Sequence, residues 1–536
     1  MGFKPENTYD AEEKIWCGSP YREYYAPDLS IGEIIFQEMK RHPKLTAQIS
    51  ATENTVLTRE ELHLNSMRVA SFMRRLGMVQ SDIVGIMARN TTHIFAVVYG
   101  CFFNGIAFHS LNISYEESTT EKLFNITKPR IVFCDGEEYE KVKSATADLN
   151  VMIVTMRNHH KDSISIEEVL ATPVQDDFTP SRLDHGNDQT LAILCSSGTT
   201  GTPKAVTITN HRKIFSTCTH LTVDDVQYTH STLDWVTGLM TTITSGVYST
   251  TRIIADNLFD PVRLLSVIEQ YKVTWLLQAP SHMAMLVNCK EFEQANLHSI
   301  RYYLYGGGHC SVEVQNRIRN SLLSDCLHMV YAFTEVGPIS MNRNFDEKPN
   351  STGRLLGGIK LKIINEKLET LGPNEVGEVC VYNGQYWAGY YGNPEESQKI
   401  RDTNLWFHSG DLGYMDNDGF LYLVDRKKDM LKYQNIMYYP GDIEEIVSKM
   451  PEVSEVCVFG IWNQFNGDEA AAAVVKKVGS QIEAQDIVDY VKSHTDAKYK
   501  QLHGGVIIVD DLIRSANGKT NRQATKAHFL DIKDRK

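Results

Sequence analysis

The sequence predicts an α/β fold. Largely parallel sheets covered by helices run to about residue 340, a small antiparallel subdomain follows from about residue 350, and a final α+β unit begins near Lys428. Three observations carry this reading. Short apolar runs of strand character alternate with helical stretches through the first part, the pattern of βαβ units. Near residue 350 short strands punctuated by Gly, Asp and Asn take over. The last stretch, roughly 100 residues, has the size of a minor domain.

Taken in order, residues 46–57 alternate loosely and read as two short strands around Glu53-Asn54. Thr58-Arg-Glu-Glu61 is a capping box, in which the threonine oxygen and the glutamate each satisfy a free backbone N–H at a helix start. The helix that follows carries Leu62, Val69, Met73 and Leu76 on one face and stops at Gly77. Ile83–Met87 and Arg130–Cys134 read as buried strands with a helical segment between them, and Leu191–Leu194 as a further strand. The antiparallel subdomain has Leu361–Ile364, Glu378–Tyr382 and Phe420–Val424. In the last unit we expect helix Ile443–Met450, strands Glu455–Phe459 and Ala470–Val475, helix Ala484–Ser493 and strand Val506–Val509. There are no internal repeats and no low-complexity tract.

Composition narrows the function. The chain has 536 residues and a formal net charge of −13, which disfavours non-specific binding to nucleic acid or anionic membrane. Its ten cysteines are scattered and form no C-x-x-C pair, so they read as reduced, mostly buried thiols of an intracellular protein. The N-terminus MGFKPENTYD has no apolar signal core, and Glu6 stands where myristoylation needs Ser or Thr. The most apolar run, Ile94 to Phe108, is interrupted by Asn104 and too short to span a bilayer. The last residues, Asp-Arg-Lys, are not a Ser-Lys-Leu peroxisomal address, so the expected compartment is the cytoplasm, with the peroxisome as alternative.

The chemistry concentrates in a few short stretches. CSSGTTGTPKAV, residues 195–206, follows an apolar strand. Its backbone N–H groups can converge on an anion, its glycines allow close approach, and Ser196, Ser197, Thr199 and Thr200 add donors around Gly198 and Gly201. Lys204 adds a point charge suited to a β- or γ-phosphate. Pro203 before Lys204 excludes the P-loop of ordinary ATPases, which has Gly there. Tyr303-Leu-Tyr-Gly-Gly-Gly308 is a strand entering a glycine turn, with a helix from Ser311; Ser311 replaces the third Gly of a dinucleotide fingerprint. Val330-Tyr-Ala-Phe-Thr-Glu335 places a ring, a hydroxyl and a carboxylate together: adenine can stack on Tyr331, Thr334 can bond a phosphate, and Glu335 can hold Mg²⁺. Phe407-His-Ser-Gly-Asp411 precedes a strand and offers a carboxylate to ribose hydroxyls, with Arg426 after the next strand. Lys432 in MLKYQN and Lys519 in SANGKTNR are, on their own, ordinary surface lysines.

In order and spacing, SSGTTGTPKAV, YGGG, YAFTE, HSGD, DRKKDMLK and NGK resemble the adenylate-forming superfamily over residues 30 to 525. That group includes acyl- and aryl-CoA synthetases, peptide-synthetase adenylation domains and beetle luciferases; the likeness is greatest to the luciferase-like acyl-CoA synthetases of insects. The resemblance implies an N-terminal body of two α/β sheets plus a small β-barrel over residues 1–427. A mobile α+β lid would occupy residues 428–536, hinged near Lys428. It implies ATP, Mg²⁺ and coenzyme A, with a small carboxylate, taken to be a fatty or related apolar acid, as substrate, in a monomer. The carboxylate would attack the α-phosphate to give acyl-AMP and pyrophosphate, and a thiol would then displace AMP.

By the same resemblance, the loop from Ser196 to Lys204 would hold the β- and γ-phosphates. Gly306, Gly307, Gly308, Tyr331, Ala332 and Phe333 would surround adenine, and Thr334 would touch the α-phosphate. Glu335 would take the metal, and Asp411 and Arg426 the ribose. Lys519 would bridge the incoming carboxylate and the α-phosphate. Trp235, Gly307, Gly308 and Ala332 would wall the acyl pocket. Rotation at Lys428 would bring Lys432, Tyr433 and Gln434 to coenzyme A in place of Lys519. The chain departs from the family pattern at Ala205, Ala332 and Asn435, each in place of Gly, and at Asp442 in place of Glu. Leu233-Asp-Trp-Val-Thr237 stands where beetle luciferases carry His-His-Gly-Phe, and Thr217 near where they carry arginine, which argues against light emission. The alternatives are a luciferase-like oxygenase using an adenylated luciferin, and a nucleotide- or acyl-adenylate-binding protein with weakened catalysis.

Overall fold

The computed structural model describes residues 7–21, 25–26, 28–196, 203–211, 218, 220–308, 310–343, 346, 348–434, 436–515 and 518–534. Within them the chain forms four sheets. A seven-stranded sheet is built on parallel strands Ala107–Ser110, Ile83–Met87, Ile131–Cys134, Met152–Thr155 and Ile164–Ser165. It ends in an antiparallel hairpin, Thr190–Ser196 against Lys204–Thr209. A nine-stranded sheet has a parallel centre running Thr46–Ser50, Thr251–Ile254, Val226–Thr229, Trp275–Gln278, Tyr302–Gly306, Leu327–Phe333, with antiparallel strands at both edges.

Helix Ile94–Asn104 is buried along its whole length between these two sheets, and both sheets contribute to the largest apolar cluster. Apolar on every side, it can lie only in a core. Among the described residues no helix is long and apolar enough to cross a membrane.

The expected capping box is present: Thr58 caps helix Arg59–Arg75, its oxygen accepts from the Glu61 N–H, and the Glu61 carboxylate accepts from the Thr58 N–H. Gly77 follows at φ +64°, the left-handed turn a helix end requires. Parallel order follows from the βαβ alternation, as the sequence predicts.

The small antiparallel unit is a six-stranded sheet, and its first two strands come from the far end of the chain. Thr8–Asp10 pairs with Ile15–Cys17, which pairs in turn with Lys360–Ile364. The last sheet joins Ile436–Tyr438, Leu431–Tyr433, Gly467–Lys476 and Val453–Asn463, with Gly505–Val509 parallel to Gly467–Lys476.

Some boundaries differ from expectation. Helix Pro440–Ser448 starts earlier than Ile443 because Pro440, whose missing N–H costs nothing there, occupies its first turn. The strand expected at Phe420–Val424 is Leu421–Arg426. The ten cysteines are all free, eight of them buried.

Candidate active site

Two neighbouring strand ends lie side by side. Gly306 closes strand Tyr302–Gly306, which lies parallel to Leu327–Phe333. A Cβ at Gly306 would collide with the Val330 carbonyl of that neighbour, so the first glycine of the YGGG turn is required by sheet packing. Gly307 sits at φ +89°, and a Cβ there would lie 2.7 Å from Lys519 Cε. The lysine of the last domain therefore reaches the glycine turn of the first.

Lys519 is delivered by a tight turn. Its carbonyl accepts the Ser515 N–H at 2.8 Å, Gly518 has φ +80°, and Ser281 Oγ donates to the Gly518 carbonyl at 2.7 Å. Arg514, anchored by two 2.7 Å contacts to the Glu455 carboxylate, braces the turn. Burial lowers the Lys519 pKa from the usual lysine range; the positive charge of Arg426 adds to this, while Asp411 and Glu335 oppose it.

Tyr331 and Asp411 meet directly: the phenol donates to Asp411 Oδ2 at 2.6 Å, and Arg426 Nε lies 3.2 Å from Oδ1. Asp411 was expected before a strand; it lies inside one, Phe407–Met415. Residues 409–411 bulge out opposite Val379, Gly410 takes φ +68°, and Ser409 Oγ accepts the Asp411 N–H at 3.0 Å. A bulge re-aims a side chain out of a ladder, which is how a strand residue faces the site here.

Thr334 and Glu335 occupy the turn between Leu327–Phe333 and Gly337–Asn342, beside a cleft also lined by Thr207, His211, Asn383 and Trp387. Ala332 and Phe333 end the first of these strands, opposite Pro338 and Gly337. Ala205 and Lys204 lie in a regular strand that pairs antiparallel with Thr190–Ser196. Ser196 ends the first arm, opposite Lys204. Ser197, Gly198, Thr199, Thr200 and Gly201, with Thr217 and Asn435, lie outside the described residues.

Two residues the sequence reading missed complete the arrangement. Tyr390 donates to Glu335 Oε1 at 2.7 Å, and Lys204 Nζ stands 5.0 Å from the centre of the Tyr390 ring. Lys204 in turn pairs with Glu396 at 2.5 Å. Burial raises the Tyr390 pKa, and the Glu335 charge raises it further, so the phenol keeps its proton and donates. The signal in GYYGNPEE is faint, because a tyrosine in a loop and a glutamate in the first turn of helix Pro394–Ile400 are both commonplace.

Gly308 faces Pro280 Cγ at 3.8 Å from an added Cβ, and Trp235 is the half-buried residue that opens helix Val236–Val247. Lys432 is not gathered with the others. Its side chain is exposed on strand Leu431–Tyr433, and its backbone N–H bonds Asp468. Tyr433 stacks on His503 with centroids 5.3 Å apart, and Gln434, at φ +45°, bonds Asn466. Lys428 lies in the short turn Lys427–Asp429 between the third and fourth sheets.

A buried lysine, a carboxylate turn and a phenol–carboxylate–arginine cluster, presented by a two-sheet α/β body and capped by a small α+β domain, define an adenylate-forming protein. Residues 35–391 match the AMP-binding enzyme family and residues 442–519 the AMP-binding enzyme C-terminal domain, so the chain belongs to the AMP-binding enzyme family. It is 26% identical over 537 residues to a 4-coumarate-CoA ligase 1 of Narcissus pseudonarcissus, covering 97% of each chain. It is 27% identical over 542 residues to a luciferin 4-monooxygenase of Photuris pensylvanica, covering 97% of this chain and 98% of that one. Its fold matches ATP-bound MatB from Rhodopseudomonas palustris with a TM-score of 0.83 at 21% identity, over 94% of this chain and 100% of that one.

Proposed function

We propose that the protein activates a carboxylic acid, fatty or related in its apolar body, with ATP to acyl-AMP and pyrophosphate, and then passes the acyl group to coenzyme A. The observation that carries this is the placement of Lys519 against Gly307, with Asp411, Arg426 and Glu335 close enough to act on its charge. Two anions, a carboxylate and an α-phosphate, must meet for adenylation. A cation fixed between them offsets their repulsion and follows the charge that develops in the transition state.

In this reading Asp411 takes the ribose hydroxyls, with Tyr331 and Arg426 holding its two oxygens. Tyr331, Ala332, Phe333 and Gly306–Gly308 surround adenine, and Thr334 meets the α-phosphate. Lys204, with the stretch from Ser196 to Gly201, holds the leaving pyrophosphate; Glu396 parks the lysine until phosphate displaces it. Among the described residues no group of three or more His, Cys, Asp or Glu is placed to hold a metal. One carboxylate, Glu335, with its orientation set by Tyr390, suits a hard cation that takes its remaining ligands from phosphate and water. Mg²⁺ bound there would neutralise phosphate charge.

Residues 1–427 and 428–536 act as body and lid, and rotation at Lys428 exchanges Lys519 for Lys432, Tyr433 and Gln434 in the thioester step. The test is acyl-CoA formation measured by mass. Lys432→Ala should leave acyl-AMP formation within about twofold and slow thioester formation at least tenfold. Unchanged thioester formation would remove Lys432 from the mechanism.

A further inference from the structure

Strand Leu421–Arg426 ends the body, and its last two side chains face opposite ways, as neighbours on a strand do. Arg426 turns to Asp411, with Nε 3.2 Å from Oδ1. Asp425 turns to the last domain. Its Oδ2 accepts the Gly441 N–H at 3.0 Å, and its Oδ1 accepts the Arg426 N–H at 2.7 Å.

Gly441 is the second residue of helix Pro440–Ser448. The first N–H groups of a helix have no partner within it, and a side-chain oxygen of the residue before the helix commonly supplies one. That residue is Tyr439, whose side chain makes no such bond. Pro440 has no N–H to satisfy. The cap therefore comes across the domain boundary, from Asp425, and a carboxylate there also meets the positive end of the helix dipole. The approach is close: a Cβ on Gly441 would lie 3.3 Å from Asp425 Oδ2 and 3.5 Å from the Val424 carbonyl oxygen.

The same carboxylate faces a second group of the last domain. Arg522 opens helix Arg522–Asp534, three residues after Lys519. Its Nη1 donates to the Val458 carbonyl at 2.6 Å, and its Nη2 lies 3.2 Å from Glu444 Oε1, which accepts the Val458 N–H at 2.8 Å. Helix Pro440–Ser448, strand Val453–Asn463 and the start of the last helix are thus tied into one unit beside Lys519. Burial raises the Asp425 pKa and the Arg522 charge lowers it, so the guanidinium lies within electrostatic reach of the carboxylate.

We propose that Asp425 is a positioning residue for adenylation: by capping a lid helix from the body, it holds the last domain in the arrangement that sets Lys519 against Gly307. This rests on the reading of the protein as an acid-activating enzyme with a rotating lid. Asp425 lies three residues before Lys428, so rotation there parts it from Gly441 and Arg522. Its bonds belong to one arrangement alone, and they bias the equilibrium between the two without touching nucleotide or acid.

The test separates the half-reactions in the full chain. Adenylation is read as pyrophosphate exchange with the best of a panel of acids from decanoate to 4-hydroxycinnamate, and thioester formation as acyl-CoA made from coenzyme A and the supplied acyl-AMP of that acid. Asp425→Ala should lower the kcat of exchange about tenfold with KM for ATP within twofold, and leave thioester formation equal or faster. Asp425→Asn, which keeps an acceptor oxygen without the charge, should fall between the two proteins. Exchange unchanged in Asp425→Ala, or both half-reactions lowered together, overturns the proposal. A readout without turnover is trypsin cleavage at Lys427 and Lys428, both exposed, followed by mass. Release of the lid should speed it about threefold or more in Asp425→Ala at an unchanged melting temperature. If no acid supports exchange by the unaltered protein, acid activation itself fails. The cleavage rate then decides Asp425 alone: faster cleavage supports its hold on the lid, and equal cleavage overturns it.

Discussion

At the scale of single residues, the charges proposed to face the nucleotide are set by neighbours outside the motifs. Glu335 receives the Tyr390 phenol and Lys204 is held by Glu396, so one loop and one short helix orient both a carboxylate and a lysine. Tyr390→Phe removes one hydrogen bond to an ionised group and leaves the ring in place. We expect adenylation to fall about tenfold and the Mg²⁺ concentration for half-maximal rate to rise, with little change in melting temperature. A rate loss with no change in Mg²⁺ dependence would show that Tyr390 does not act through Glu335.

His408, three residues before Asp411, is a second case. The Cys380 sulfur and the Glu378 carboxylate raise its pKa from 6.5 to about 10. Its own bond and that of Lys427 hold Glu378 down at about 2, from 4.5. A raised folded value means that the His408 contribution is complete below about pH 6.5 and is lost as pH climbs toward 10; the Glu378 contribution is complete above about 4.5 and lost as pH falls toward 2. His408→Gln should therefore flatten the decline of melting temperature between pH 6.5 and 10, read by calorimetry. Parallel curves for the two proteins would refute this linkage. These neighbours escaped the sequence reading because contacts between residues 335 and 390, or 204 and 396, leave no trace in local spacing.

At the scale of elements, the strand–turn pieces were readable because each is contiguous. A short apolar run followed by glycines marks a strand end, and strand 302–306 ends at its glycine turn as expected, whereas strand 327–333 runs on through the Val330–Phe333 part of its motif. Gly306 shows why the pattern is strict: its neighbour's carbonyl fills the space a side chain needs. Gly306→Ala should disrupt the pairing of these two strands and lower the melting temperature by several degrees, together with nucleotide binding. A stable Gly306→Ala protein with normal ATP affinity would contradict the close-packing argument. What spacing did not show was geometry that depends on the partner strand. The bulge that turns Asp411 outward appears only when residues 409–411 are set against Val379, and the hairpin carrying Lys204 only when it is set against Ser196. Strands Thr8–Asp10 and Ile15–Cys17 were missed for the same reason: three residues each, they are ordered by a strand some 340 positions away.

At the scale of the whole molecule, polar contacts among the described residues join the last domain to the body. Besides Ser281 with Gly518, Asn288 bonds Ser454 at 2.8 Å and Lys477 pairs with Glu313 at 2.8 Å. In the proposed lid reading these are the contacts that rotation at Lys428 would exchange. The division into an α/β body and an α+β cap was apparent from the change in strand character along the chain. Which face of the cap meets the body was not, since Lys432 and Lys519 look alike in sequence. The structure puts Lys519 at the site and leaves Lys432 in solvent. The most direct measurement of the central claim is acid-dependent exchange of labelled pyrophosphate into ATP, with unaltered protein and Lys519→Ala side by side across a panel of carboxylic acids. The account predicts exchange that requires an acid, and a loss of at least a hundredfold in Lys519→Ala with ATP affinity nearly unchanged. Absence of exchange with every acid despite ATP binding, or an equal loss of exchange and ATP affinity in the variant, would contradict it.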